Sequence, residues 1–506
     1  MKNQSAAPAI AIPRRQSGVS PYGRLARSFG AALALALLAC LYFALTAADG
    51  IISTNDGSHY ALIKALAVDG TARIDPYVNY GAIQPAQGTP TSDDYRDVSE
   101  RDGHFYSDRP PGTAFLAVPF YWLGEIVSHI SGRRDLDFPL RYVTMLPPLL
   151  GAATVLALYW LARGLGAGRL AAILTAASAA LTTLLLKYAT LLYSHIAGAL
   201  FVTAALAAVL LAERRPGRVW PLALGGAALG WSAVTEYPNL LLIAPVGLYV
   251  LWRAWRGPDS RGFAPRGPLV FAVAWALPIL ILAGYDWLAF GAPWHTSYTY
   301  QYYFDWSRSP LTTYVTPPLT GLRWLLFGPS GLFVTTPALA LAFWGLVLLT
   351  RRAPARALLL LGTVLVVLLP TALHRTYYGG GSRDTRYLLA VVPTLYAPLA
   401  LWLDLVALPR RPLARVALLG GAALLALWGL IRSYLSLLTM FGHRAVERSP
   451  EEAWRIVTGQ WRDPAVVTPG LPLLPYFVTL AVPLCGLLWL LWLGWQWHTA
   501  RRAESF

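Results

Sequence analysis

The stretch 31–46, AALALALLACLYFALT, is followed closely by 54–60, TNDGSHY. An uncharged run of this length belongs in an apolar medium, and the cationic residues before it (Lys2, Arg14, Arg15, Arg24 and Arg27) are the cytoplasmic flank of a helix that enters a membrane. Small residues at Ala47 and Ala48 resemble a cleavage site. A polar cluster beginning only a few residues later favours a retained signal-anchor helix instead.

Similar runs recur along the whole chain. Of 506 residues, 56% are hydrophobic and only 13% charged, whereas soluble domains carry about 25% charged residues. The expected class is an all-α polytopic membrane protein with about twelve transmembrane helices. They are placed near 30–48, 138–161, 169–187, 190–212, 219–236, 238–254, 268–290, 331–350, 356–373, 387–407, 415–433 and 472–496. A formal net charge of +16 would suit a nucleic-acid binder, but the arginines sit in short loops between apolar runs. That placement reports topology and contact with membrane lipids, so no nucleic-acid partner is expected. Cys40 and Cys485 both lie in apolar runs, which leaves no disulfide framework for the outer loops.

Alternate loops hold Arg163 and Arg169; Arg214, Arg215 and Arg218; Arg253, Arg256, Arg261 and Arg266; Arg351, Arg352 and Arg356; Arg410, Arg411 and Arg415; Arg501 and Arg502. The positive-inside rule puts these and both termini (tails 1–29 and 497–506) in the cytoplasm, in a bacterial-type cytoplasmic membrane. The membrane unit is then 30–496, with a first extracytoplasmic loop over 49–137. Residues 112–130 are apolar enough to span, but a crossing there would export every later basic loop. They are read as a helix lying in the interface, kinked at Pro119. Within the loop, 56–69 is expected to form a short amphipathic helix ending at Gly70, with Asp56, His59, Tyr60 and Lys64 near one face. Residues 77–95 show no periodicity and are expected to be a mobile loop.

Three clusters carry candidate chemistry. Asp56 stands at the membrane surface, where a carboxylate can accept a proton or ligate a cation; the plain alternative is a helix cap. The run 102–112, DGHFYSDRPPG, fixes Asp108 and Arg109 before a proline-led helix start, where a guanidinium can fork onto phosphate or form a simple ion pair. The run 374–387, HRTYYGGGSRDTRY, sets Arg383, Arg386 and Tyr387 beside three glycines at the start of a span. Basic residues on the outer side oppose the topological bias; anion binding would account for them, and the plain alternative is a solvated loop in which Asp384 neutralises one arginine. Weaker candidates are Glu236, Lys187 and His195 at outer turns. The aromatic run 294–306 reads mainly as an interfacial belt. The segment 434–471, with Glu447, Glu451, Glu452, Trp454 and Trp461, reads as an outer connector. No Walker, Rossmann, HExxH or CxxC motif occurs in a suitable context.

An acidic residue after the first span, followed some fifty residues later by Tyr-Ser-Asp-Arg-Pro-Pro-Gly, resembles the GT-C class of membrane glycosyltransferases. The similarity is to the protein O-mannosyltransferase and aminoarabinose-transferase group, which uses polyprenyl-phosphate sugars. Asp56, His59, Tyr60, Asp108, Arg109 and Pro110 fall on that pattern; His195 stands where the group has an acidic residue, and Gly57 where the motif usually has glutamate. Arg386-Tyr387 is similar to a Pro-Arg-Tyr element near the donor phosphate, with Thr385 in place of proline.

The resemblance implies a GT-C-like fold and transfer, inverting in outcome, of a monosaccharide from a polyprenyl-phosphate carrier to an extracytoplasmic acceptor (lipid, glycan or protein). Asp56 and Asp108 would be catalytic, and Arg109, Arg383 and Arg386 would bind the donor phosphate. His59, Tyr60, Lys64, Lys187, Glu236 and Tyr387 would line the pocket. A divalent metal ion on Asp56, Asp108 and His195 is one cofactor option. Rival readings are a transporter or flippase of a lipid-linked phosphate or sugar, and a non-catalytic scaffold in envelope assembly.

Overall fold

The computed structural model describes residues 21–440 apart from 49, 84–87, 134–136, 216, 257–262 and 407–411. The expected last span at 472–496, the connector over 441–471 and both tails up to residue 20 and from 497 lie outside the described residues. Most of the described residues are helical. Among them seven helices are long and apolar enough to cross a membrane: Gly112–Ser131, Leu140–Leu165, Ser194–Glu213, Gly267–Phe290, Pro354–Leu373, Arg386–Val406 and Ala414–Tyr434. An eighth is counted if the pair Pro318–Thr335 and Leu339–Arg352, bent by 97°, forms one span.

The all-α polytopic reading therefore stands, but the expectation of about twelve spans exceeds what the described residues contain. Apolarity alone does not reveal where a helix breaks. The run expected at 169–187 stops at Thr182, where Arg169–Thr182 ends, and a short helix Leu185–Tyr188 follows. The runs at 219–236 and 238–254 become Trp220–Thr235, a 3-10 turn Tyr237–Leu242 and Ile243–Trp255. Pro238 lacks the amide a continuing helix would need. The span expected at 331–350 is divided at 336–338, before Leu339–Arg352. Residues 112–130 form one helix, Gly112–Ser131, with Pro119 inside it. Its length and composition suit a crossing as well as the interfacial position read from the sequence.

The first loop is more ordered than its composition suggested. Thr54–Lys64 is an α-helix that continues as a π-turn, Ala65–Asp69, and stops where Gly70 adopts φ +64°. Its first residue is fixed by Ser53, whose side chain accepts from the Asp56 amide; Asp56 is not the cap. Nor is the helix amphipathic, because Asn55 through Ile63 are all buried. Residues 77–95 are not featureless: 3-10 turns at Asp75–Gly81 and Ser92–Asp94 flank a bridge between Ala82 and Tyr95. An antiparallel hairpin, Val98–Arg101 with His104–Ser107, follows. Asp102 and Gly103 both adopt positive φ, the geometry that a two-residue hairpin turn requires. Asp-Gly was the one local signal for it.

This hairpin positions the site. Ser107 ends its second strand, so Asp108 and Arg109 emerge directly from it and Pro110-Pro111 lead into Gly112–Ser131. On its other edge Ser99 bridges Gln301, and the Tyr302 amide donates to Val98 O at 2.9 Å. The aromatic run is thereby split. Trp294 and Tyr303 stay exposed, as a belt requires, while Ser297 and Gln301 turn inward.

Candidate functional site

Burying a charge is costly unless it is paired, so buried polar atoms without partners call for an explanation. Asp56 is 1% exposed; its Oδ2 accepts from the Ile52 amide at 3.3 Å, and its Oδ1 has no partner. Burial is the main reason its carboxyl is pushed up to about 7, opposed by the bond from Ile52, with Asp97 adding to the rise and Arg386 pulling back. One turn on, His59 is fully buried with neither ring nitrogen paired. Burial holds it well below the usual imidazole range, and the charges of Arg109 and His195 work the same way, so it is neutral.

Arg109 is clamped. It forms ion pairs with Asp97 and, at 3.0 Å, with Asp108 Oδ1. With its amide correctly oriented, the Asn55 oxygen accepts from the same guanidinium at 3.2 Å. Asp97 also accepts from Thr54 Oγ1, so it ties the start of the Asp56 helix to Arg109. Asp108 is 1% exposed and accepts from Gln301 Nε2 at 2.6 Å and from Ser58 Oγ at 3.3 Å. Burial pushes the Asp108 carboxyl up, while Arg109 opposes that. Ser297 Oγ donates to Asp108 O at 2.7 Å, fastening the aromatic run to the same point.

The Gly-rich loop supplies the second cationic group. Arg386 has a buried Nε without a partner, and its guanidinium carbon lies 5.5 Å from the centre of the Tyr193 ring and 5.2 Å from that of Tyr387. The Tyr193 hydroxyl is 3.0 Å from Ser53 Oγ, the cap of the Asp56 helix. One tyrosine thus links the two halves. His195 pairs through Nδ1 with Glu236, which also accepts from Ser194 Oγ at 3.3 Å and Asn239 Nδ2 at 3.4 Å. The His195 ring lies 5.9 Å from that of Tyr387. Burial, with the Arg386 charge, pushes His374 down to about 4; its ring packs against Trp306, Tyr314 and Tyr387.

Most sequence candidates therefore fall in one cluster, joined by hydrogen bonds and electrostatic contact: Asp56, His59, Asp108, Arg109, Glu236, His195, Arg386 and Tyr387. Lys187 is attached to it through Asp384, at 2.6 Å. Three candidates part from it. Lys64 sits over the rings of Tyr60, Tyr77 and Tyr80 at 5.3–6.0 Å, a cation–π cage that uses up its charge. Tyr60 packs edge-on to Tyr80 and against Tyr121. Arg383 is exposed, with backbone φ +43°. The option of a metal on Asp56, Asp108 and His195 does not fit, since the described residues contain no group of three such ligands. Asp108 is committed to Arg109 and Gln301, and His195 to Glu236.

Sequence reasoning passed over Asp97, Asn55, Tyr193 and Gln301. Asp97 and Gln301 stand in stretches without periodicity, where only strand pairing brings them inward.

Gly57 explains the departure from the two-carboxylate pattern. A Cβ there would lie 1.6 Å from Tyr80 O, so the backbone of the 3-10 turn occupies the space that any side chain at 57 would need.

No curated protein sequence matches the chain. Among solved structures, ArnT from Cupriavidus metallidurans bound to undecaprenyl phosphate matches with 14% identity and a TM-score of 0.45, over 92% of this chain and 77% of that one. The oligosaccharyltransferase AglB from Archaeoglobus fulgidus, in complex with an inhibitory peptide and a dolichol-phosphate, matches with 17% identity and a TM-score of 0.43. That match covers 80% of this chain, which spans about half (55%) of the archaeal one. Residues 135–295 match the model of the PMT family, described as dolichyl-phosphate-mannose-protein mannosyltransferase.

Proposed function

We propose that this protein is an integral-membrane glycosyltransferase of GT-C type that moves a monosaccharide from a polyprenyl-phosphate carrier to an acceptor on the extracytoplasmic side. The observation that carries the reading is a pair of buried, unpartnered atoms, Asp56 Oδ1 and Arg386 Nε, with the Arg386 charge within electrostatic reach of the Asp56 carboxyl. One group can take a proton and the other can take an anion. The match to the PMT family model over 135–295 and the phosphate-bearing polyprenyl ligands of ArnT and AglB point to the same donor class.

In this reaction the acceptor hydroxyl or amine attacks the anomeric carbon as Asp56 removes its proton. The bond from that carbon to the phosphate oxygen breaks, and polyprenyl phosphate leaves with the electron pair. Arg386 stabilises the charge growing on the departing phosphate, so no general acid is required. Arg109 acts differently from the expectation of direct phosphate binding: Asp97, Asp108 and Asn55 engage its fork, and it holds the hairpin against the Asp56 helix. Arg383 stands at the exposed edge of the Gly-rich loop, where it can attract the anionic donor. Attack from the face opposite the phosphate inverts the anomeric centre.

The test is transfer of radiolabelled sugar from a polyprenyl-phosphate donor by the reconstituted protein, against an extract of envelope acceptors. Wild type transfers label and Asp56→Asn does not. Movement of the lipid across vesicles without transfer would give the protein to the transporter reading instead.

A further inference from the structure

Arg386 is held by a carboxylate that the mechanism does not use. Asp384 is 4% exposed and collects four donors: Lys187 Nζ at 2.6 Å, the Tyr188 hydroxyl at 2.8 Å, Ser382 Oγ at 3.0 Å and the Arg386 amide at 3.1 Å. Two of these come from the loop itself and two from the short helix Leu185–Tyr188, almost two hundred residues earlier. The loop folds back tightly enough that a Cβ on Gly379 would lie 2.4 Å from Asp384 O, and Gly379 itself adopts φ +81°. Only glycine allows that closure. Burial opposes a charge on Asp384, yet Lys187, Arg386 and the Tyr188 hydroxyl keep its carboxyl below the usual range, so it is an anion.

The consequence is directional. Arg386 takes its backbone anchor from Asp384, and its side chain lies between the rings of Tyr193 and Tyr387, with Nε unpaired. Lys187 is turned inward to Asp384, so its charge balances the loop and leaves the anion-binding task to Arg386. We infer that Asp384 is a positioning residue, latched by Lys187, that fixes the Gly-rich loop so that Arg386 can read the phosphate of a polyprenyl-phosphate ligand. The inference rests on the proposed role of Arg386.

The experiment compares binding of undecaprenyl phosphate and undecaprenol to the full-length protein in detergent; their ratio measures phosphate recognition alone. Asp384→Ala by itself would strand the Lys187 charge, so it is paired with Lys187→Met. That double variant should keep its undecaprenol affinity and lose about tenfold or more of the preference for phosphate. Lys187→Met with Asp384→Asn keeps acceptors for Ser382 and for the Arg386 amide, and should recover most of the preference. Ser382→Ala leaves the ion pair in place and should reduce the preference by about fivefold. An unchanged preference in both the alanine double variant and Ser382→Ala overturns the inference, and so does an equal loss of affinity for both lipids, which marks a purely structural role. Arg386→Ala separates the two levels. If it retains full preference, the assignment of phosphate to Arg386 fails; if it loses preference while the Asp384 variants do not, only the positioning role fails.

Discussion

The Arg386 guanidinium carbon lies 5.5 Å from the centre of the Tyr193 ring, and the hydroxyl of that ring meets the cap residue of the Asp56 helix. Two polar clusters more than three hundred residues apart in sequence are thereby held in register by one aromatic side chain. Tyr193→Phe removes the 3.0 Å contact with Ser53 and keeps the ring. The expected result is a loss of about 1 kcal/mol of stability and a several-fold drop in transfer rate, measured by thermal melting and initial rates.

Asp56 should govern the pH dependence, with opposite signs for rate and stability. As a base it must be ionised, so transfer should rise with pH through about 7. Its folded carboxyl lies above the ordinary value near 4, so the fold binds the proton more tightly than the unfolded chain does. That contribution to stability is complete below about 4 and is lost as pH climbs through about 7. Asp56→Asn should abolish transfer and flatten the melting profile across this window. A rate that is flat with pH in wild type would remove Asp56 from the role of base.

Arg386→Ala should cost about 2.7–4 kcal/mol of transition-state stabilisation, on the order of a hundredfold or more in kcat. Arg386→Lys should restore little, because an ammonium lacks the planar fork and stacks poorly between Tyr193 and Tyr387. Steady-state kinetics with a polyprenyl-phosphate sugar checks both.

Asp97→Ala leaves the Arg109 charge with one carboxylate fewer in a largely buried setting. Removing one partner of a buried pair costs about 3–5 kcal/mol. The double variant with Arg109→Met should be more stable than Asp97→Ala alone, a coupling that a thermodynamic cycle measures directly.

Gly57→Glu, which would supply the adjacent acid of the motif that this stretch resembles, should not fold well. Even Gly57→Ala places its Cβ 1.6 Å from Tyr80 O, a backbone atom that cannot rotate aside. The expected cost is ~3 kcal/mol or more, read as a fall in melting midpoint and in yield.

What could be read from the chain followed from local chemistry. Membrane class came from composition, and the polar clusters stood out against apolar surroundings. Pro110-Pro111 gave the start of the helix at Gly112. What could not be read depended on contacts across sequence. Lys64 matched the helical spacing of Asp56, but Tyr77 and Tyr80, from a stretch without periodicity, drew it into a cage. Asp97 had no spacing relation to Arg109 until the hairpin placed them together. The described residues contain seven or eight spans and stop short of the last one expected. Thr182-Thr183 interrupts the run expected at 169–187 without lowering hydropathy enough to announce a break, whereas the break at residue 237 was legible.

The backbone of Tyr80 against Gly57 also bears on how chains of this kind are recognised. A pattern that demands two neighbouring acids would pass over this one, although a second acid is present and within electrostatic reach of the first. It arrives from residue 97, forty-one positions later, delivered by folding instead of by adjacency. Chains of this kind are therefore better sought through spatial constellations than through dipeptides.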